Sequence, residues 1–281
     1  MLTLRSVLPT PAVLADVVRH FYIASAGPDP LGGAIRYARL AEAEAHLVFI
    51  VDEFASDGAV ASARLCVTGS HLGLTPPLVD DAQLVIAASL MPGAVFAAVG
   101  VAAHTLLDRI VPLEQVWGAR ARDLSDRLVA TRGDVARVRV LAGSLSAHCR
   151  RDPAMALAAG AIAALDRCAG GIRIATLAAQ LGVGERRLGR AFASHIGMTP
   201  KDYARVARMR TLIDRIDAGP ADWTALAMAG GFYDQSHLIN EFDAFLGTTP
   251  ETFRAWLGAG ADIVFGALGV PEHSGIVLRT I

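Results

Sequence analysis

Arg186, Arg187 and Arg190 stand close together in the stretch GERRLGRAF, with Arg186 and Arg190 four residues apart. In a helix that spacing puts both guanidinium groups on one face. A guanidinium is a planar fork of donors that pairs bidentately with guanine O6 and N7, or with a phosphate. Further along, the stretch DQSHLINEFDAF holds Gln235, Ser236 and Asn240, and a carboxamide suits the N6/N7 edge of adenine. That same stretch carries Asp234, Glu241 and Asp243 and no Lys or Arg, an odd makeup for a segment meant to approach a polyanion. A solvated helix face is the plain alternative for charged runs of this kind. The elements that carry them must decide.

Other chemistry is thin. Cys66, Cys149 and Cys168 are three cysteines without CxxC spacing, which argues against a disulfide framework or a zinc site and fits a reducing, cytoplasmic setting. His46, His71 and His104 show no HxH or HxxxH spacing, so core or surface roles are favoured over metal binding. Glu42, Glu44, Asp52 and Glu53 read better as a solvated strand edge than as paired catalytic carboxylates. The loop GPDPLGG, residues 27–33, has neither the Lys nor the spacing of a phosphate cradle. No catalytic, metal or cofactor site is therefore expected. A thiol redox sensor using Cys149 and Cys168 stays open as an alternative.

The chain of 281 residues is long enough for two domains. Its net charge of −1 does not announce a nucleic-acid partner, so the distribution of charge has to. Of the 26 basic residues only Lys201 is a lysine, a skew for which genomic base composition is a sufficient cause. The opening MLTLRSVLPTPAVLAD is a poor signal peptide, because Pro9 and Pro11 interrupt its apolar run. Leu84 to Ala103 is uncharged and as long as a membrane span. Pro92-Gly93 at its middle, and the β-rich half before them, favour a buried strand ending at a turn. No membrane partner is expected.

A repeat organises the C-terminal part. Leu177, Ala178, Gly182 and Val183 match Leu226, Ala227, Gly231 and Phe232 at a shift of 49, while Leu188, Phe192, Gly197, Thr199, Pro200 and Tyr203 match Leu238, Phe242, Gly247, Thr249, Pro250 and Phe253 at a shift of 50. One residue inserted in a turn accounts for the change. Each copy reads as helix, tight turn, helix. In the first copy, Gly182 permits the positive φ that ends a helix over Ile174–Leu181, Gly184 is the N-cap, and Val183 with Leu188 forms a hydrophobic staple. In the second, Asp234 is the cap, with Tyr233 and Leu238 as the staple. Between the copies, Tyr203, Val206, Ala207, Met209, Leu212, Ile213 and Ile216 are spaced as the buried face of a long helix from Pro200, closed near Gly219-Pro220. Asp152 to Gly171 reads as one more helix.

The first part differs. HLVFIV (46–51), ARLCVT (63–68) and QLVIAAS (83–89) are strand-like, and from Gly93 the pattern turns helical through AVFAAVG, LLDRIVPLEQVW and Val135–His148. The expected fold is thus an α+β N-terminal domain over residues 1–150. An all-α C-terminal domain over 151–257 follows, with two helix-turn-helix units joined by a long helix. A tail over 258–281 has no assigned role.

The signature GFYDQSHLINEF, then GTTP at 247–250 and Phe253-Arg254, with the weaker LAAQLGVGERRLGRAF and GMTPKDY, resembles the AraC/XylS transcriptional regulators over about Asp152–Trp256. The first part is similar, more faintly, to their sensor domains. That resemblance implies a sequence-specific DNA-binding transcription factor whose N-terminal domain senses a small molecule or mediates dimerisation. It places base contacts at Arg186, Gly189 and Arg190 of the first reading helix, flanked by Arg187, and at Gln235, Ser236, Ile239 and Asn240 of the second. Gly189 itself reads nothing, and Ile239 can at most touch a thymine methyl. The implied partners are double-stranded DNA and a small-molecule effector, with RNA polymerase and a second copy of the chain as further candidates. Two rigidly joined units can reach successive major grooves about 34 Å apart, and unlike reading helices call for an asymmetric site.

The sequence departs from the family in the second unit, where Asn240 and Asp243 stand in place of the usual basic residues. Residues 186–215 hold eight basic residues against two acidic, while residues 216–257 hold one basic against six acidic. Phosphate-neutralising charge is expected almost wholly in the first unit and the linking helix. Two other readings stay open. A DNA-targeted enzyme, such as a repair alkyl transferase, would need an activated thiol or a metal cluster. A protein-interaction module that has lost DNA binding has the acidic second unit as its only argument.

Overall fold

The computed structural model describes residues 2–26, 36–37, 44–72, 82–216, 222–258, 263–264 and 277–278. The loop at 27–33 and the close of the long helix near 219–220 lie outside them.

The strands of the N-terminal half are β1 (Leu2–Leu8), β2 (Val18–Ala26), β3 (Arg36–Tyr37), β4 (His46–Phe54), β5 (Val60–Thr68) and β6 (Leu84–Leu90). Then come α1 (Val95–Val99), β7 (Ile110–Pro112), α2 (Glu114–Trp117), α3 (Ala119–Ala130) and α4 (Asp134–His148). The main sheet has the order β1-β2-β6-β4-β5-β7, antiparallel throughout. Its central strand β6 is buried along its whole length, which is why it reads as one apolar run without alternation. Side chains of period two split the sheet between two cores. Leu47, Phe49, Val51, Ile86 and Ala88 face Leu124, Leu128, Leu141 and Leu145 of α3 and α4, while Tyr22, Val48, Ile50, Val85 and Ala87 line the opposite face.

All three strands expected from sequence are present, and Leu84 to Ala103 resolves into β6, a turn and α1. Among the described residues no helix is long and apolar enough to cross a membrane. Two corrections concern neighbouring segments. β1 and β2 arise where no strand was expected. Within LLDRIVPLEQVW, read as helical, Ile110–Pro112 is a strand paired to β5. Three residues ending in a proline at a sheet edge are too short to show a period of their own.

In the C-terminal half come α5 (Pro153–Arg167), α6 (Ile174–Gln180), α7 (Glu185–His195), α8 (Pro200–Ile216), α9 (Trp223–Ala229), α10 (Gln235–Leu246) and α11 (Pro250–Gly258). Asp152 caps α5 by accepting from the Met155 amide at 2.9 Å. The apolar face of α8 predicted from spacing is buried at every position, and it joins α5, both helix-turn-helix units and Phe253 in one core. In the tail, β8 (Ile263–Val264) pairs parallel with β3 and antiparallel with β9 (Val277–Leu278).

Candidate nucleic-acid interface

The first unit is built by α6, a turn through Gly182 and α7. Gly182 takes φ +66°, and its counterpart Gly231 takes φ +74°, the left-handed conformation that turns the chain between the two helices. On α7, Leu188, Ala191, Phe192 and His195 are buried at helical spacing. The opposite face carries Arg186, Arg187 and Arg190, all exposed. None of the three side chains forms a hydrogen bond or ion pair with a described residue, so their guanidinium donors are available to a ligand. A Cβ built on Gly189 would meet nothing within 4 Å, leaving an open notch between Arg186 and Arg190.

The second unit is capped twice by aspartate. Asp222 accepts from the Thr224 and Ala225 amides at the start of α9, and Asp234 accepts from the His237 amide at 2.7 Å at the start of α10. Gln235, Ser236 and Asn240 are exposed on α10. Ile239 is half-buried and packs against the core, so only part of it can face a ligand. The expected staple of Tyr233 with Leu238 is not made. Tyr233 is 90 % exposed, and Phe232 is the buried residue. The inserted turn residue explains this: Phe232, not Tyr233, is the counterpart of Val183, and the Tyr233 amide donates instead to His237 Nδ1 at 3.2 Å.

Of the two acidic residues on α10, Asp243 is exposed and Glu241 is engaged. Glu241 receives Arg205 of α8 in a bidentate bridge, with contacts of 2.9, 3.0 and 3.1 Å. Arg205 also lies 3.4 Å from Asp202 and 5.0 Å over the Phe245 ring. Its already high pKa is raised further, chiefly by the hydrogen bond to Glu241. Arg208 donates to the Gly170 carbonyl. Counting charge along the chain therefore overstates the phosphate-facing cations of the linking helix: Arg205 is spent neutralising the second reading helix. Glu251, held below the usual carboxylate range by Arg254 and then by the Trp223 indole, is likewise internal to its unit.

Sequence reasoning missed the other end of α7. His195 is fully buried between the two halves of the molecule, with Nδ1 3.1 Å from the Gly93 carbonyl and Nε2 3.2 Å from the Asp152 carboxylate. Its ring meets Phe96 of α1 edge-on at 5.6 Å. Ser70 donates to the Ile196 carbonyl at 2.5 Å, and His104 Nδ1 lies 3.3 Å from the Ala193 carbonyl. The chain turns away at Gly197, where a Cβ would sit 2.9 Å from the Ala103 carbonyl. The one available signal was His195 at a core-facing position of α7.

Cys66 and Cys149 lack the activation an alkyl transferase requires. Burial pushes Cys66 up to about 11 and also raises Cys149, whereas a reactive cysteine needs a lowered value.

Two helix-turn-helix units thus sit on one linking helix, the geometry of a nucleic-acid reader. Residues 177–255, spanning both units, match the family model described as a helix-turn-helix domain. The match covers the tandem repeat, whose signature resembles the AraC/XylS transcriptional regulators. Among solved structures it is similar to ToxT from Vibrio cholerae, at 10 % identity over 78 % of this chain and 91 % of that chain with a TM-score of 0.39. A ToxT structure from the same organism with bound unsaturated fatty acid is similar at 12 % identity, over 80 % of this chain and 92 % of that chain, with a TM-score of 0.39. No curated protein matches the chain.

Proposed function

We propose that residues 151–257 bind an asymmetric DNA site through two successive major grooves, and that residues 1–150 adjust this binding in response to a small molecule. The observation that carries the reading is the division of labour between the reading helices. On α7 the guanidinium groups of Arg186, Arg187 and Arg190 are exposed and uncommitted. On α10, Gln235, Ser236 and Asn240 are exposed and neutral, while Glu241 is occupied by Arg205. The first unit supplies cationic grip and guanine readout, and the second supplies amide contacts that suit adenine. The buried contacts of His195, Ile196 and Ala193 with the N-terminal half give a physical route by which a change there reaches α7.

Selection of bound duplexes from a random pool tests this directly. Two unequal half-sites are expected, the stronger one guanine-rich. Arg190→Ala should relax preference at that half-site and cost about 1–3 kcal/mol on the preferred sequence. A pool that yields no consensus, or an unchanged consensus and affinity in the variant, overturns the assignment.

A further inference from the structure

The cavities of the N-terminal half differ in what they offer. The one between β5, β7 and α3, about 470 Å³, is lined by arginines that are already paired: Arg64 with Asp52, and Arg122 with Glu114. A second cavity of about 270 Å³ lies where α1, α2, the start of α3 and the end of α4 meet. Its walls include Phe96, Trp117 and His148, and its charged groups are Arg120 and Arg150. No carboxylate lines it, and neither arginine pairs with a described residue.

The aromatic groups here are walls, not polar anchors. The Trp117 indole N–H is taken by the Val99 carbonyl at 2.8 Å, and His148 Nδ1 by the Ser144 carbonyl at 2.6 Å. The two rings pack on each other, 5.3 Å apart with a 32° tilt. Positive charge comes from the two guanidinium groups. Flat apolar walls with concentrated, uncompensated positive charge suit one class of ligand. At about 270 Å³ the cavity falls just below the usual range of about 300–1,000 Å³ for such sites. An adjoining cavity, which shares Arg120 and His148, extends it past Arg127, itself paired at 3.6 Å with Asp123.

We propose that this junction cavity binds a small aromatic carboxylate, its ring against Trp117 and Phe96 and its carboxylate between Arg120 and Arg150, and that α7 senses its occupancy. Phe96 touches both the cavity and His195. The Arg150 amide is bonded to the Ala97 carbonyl of α1, in the segment that leads to Asp152. A ligand here thus contacts the elements that hold the far end of the reading helix. This deepens the small-molecule reading above and rests on it for the step to DNA.

Calorimetric titration of the full chain, without DNA, with naphthoate and indole carboxylate against their neutral carboxamides tests the site alone. At least one acid should bind, on the order of tenfold more tightly than its amide. The Arg120→Gln/Arg150→Gln pair should abolish that preference while leaving the melting temperature unchanged, since both side chains are exposed. No binding by either acid, equal binding of acid and amide, or an unaltered preference in the double variant overturns the site. A second arm measures duplex affinity with and without the bound acid. A shift in the wild type that is lost in a Phe96→Leu variant whose acid binding is retained by calorimetry supports the link to α7, and binding with unchanged duplex affinity in the wild type, or a full shift in that variant, overturns it. Failure to bind any duplex overturns the parent reading alone, because the calorimetry decides the site without DNA.

Discussion

Replacing Glu241 by Gln keeps the side-chain shape and removes its charge, which separates the two consequences of the Arg205 bridge. The pair is partly buried, with side-chain exposures of 30 % for Arg205 and 16 % for Glu241, and is held by three contacts of 2.9–3.1 Å. Exposed bridges contribute about 0–1 kcal/mol, whereas breaking a fully buried one costs about 3–5 kcal/mol. This intermediate case should cost about 1–2 kcal/mol, a fall of a few degrees in melting temperature. For DNA the sign is opposite. The variant takes one negative charge off α10 and releases Arg205, so affinity for any duplex should rise at low salt. Each additional phosphate that the freed guanidinium neutralises would steepen the slope of log affinity against log salt by about 0.9. Thermal melts and fluorescence titrations over a salt series measure both, with Arg205→Gln as the control that loses stability without freeing a cation. An unchanged melting temperature, or an affinity that falls together with stability, would refute this account of the acidic helix.

Asp234→Ala removes the cap on the His237 amide and should destabilise the protein by about 1 kcal/mol, read from a denaturant midpoint. Gly197→Ala places a Cβ against the Ala103 carbonyl at φ +96° and should cost more than about 1 kcal/mol, with faster amide exchange at the end of α7. The Asp16 carboxyl is held below its ordinary value, chiefly by its hydrogen bond to Arg151. Its contribution to stability is therefore present above the unfolded carboxylate value and lost as pH falls through the lowered folded value. Because the pair is about half exposed, with 42 % and 51 % side-chain exposure, the contribution is below about 1 kcal/mol. Stability curves of the wild type and Asp16→Asn should accordingly differ at neutral pH and converge in strong acid.

The C-terminal half was legible because its constraints are local and repeated. Gly182 and Gly231 at their turns, Asp234 at its cap and the apolar stripe of α8 each leave a mark within a few residues, and the second copy confirms the first. Tyr233 shows where such reasoning slips. Two aromatic residues stand together, and only the register of the insertion says which one is buried. The N-terminal strands β4, β5 and β6 announced themselves by composition, but β7 is stabilised by pairing with β5, which periodicity along the chain does not record. The reading-helix positions came from the family resemblance, and Arg186, Arg187, Arg190, Gln235, Ser236 and Asn240 are exposed on their helices. The bridge from Arg205 to Glu241 and the burial of His195 join positions distant in sequence, so a charge count treated Arg205 and Glu241 as free and left His195 out.

The anchorage of α7 at His195 also makes the helix a lever. From His195 to Arg186 is nine residues of helix, about 13 Å at 1.5 Å per residue. A tilt of about 10° at the held end would carry Arg186 through about 2 Å, more than the whole spread of hydrogen-bond lengths over which a base contact survives. The contacts that hold His195 come from the N-terminal half and the Arg186 end is exposed, so under the DNA reading proposed above a displacement too small to disturb packing around His195 would take the guanidinium out of register with a base. Sensitivity of this kind comes from helix length and needs no large domain motion.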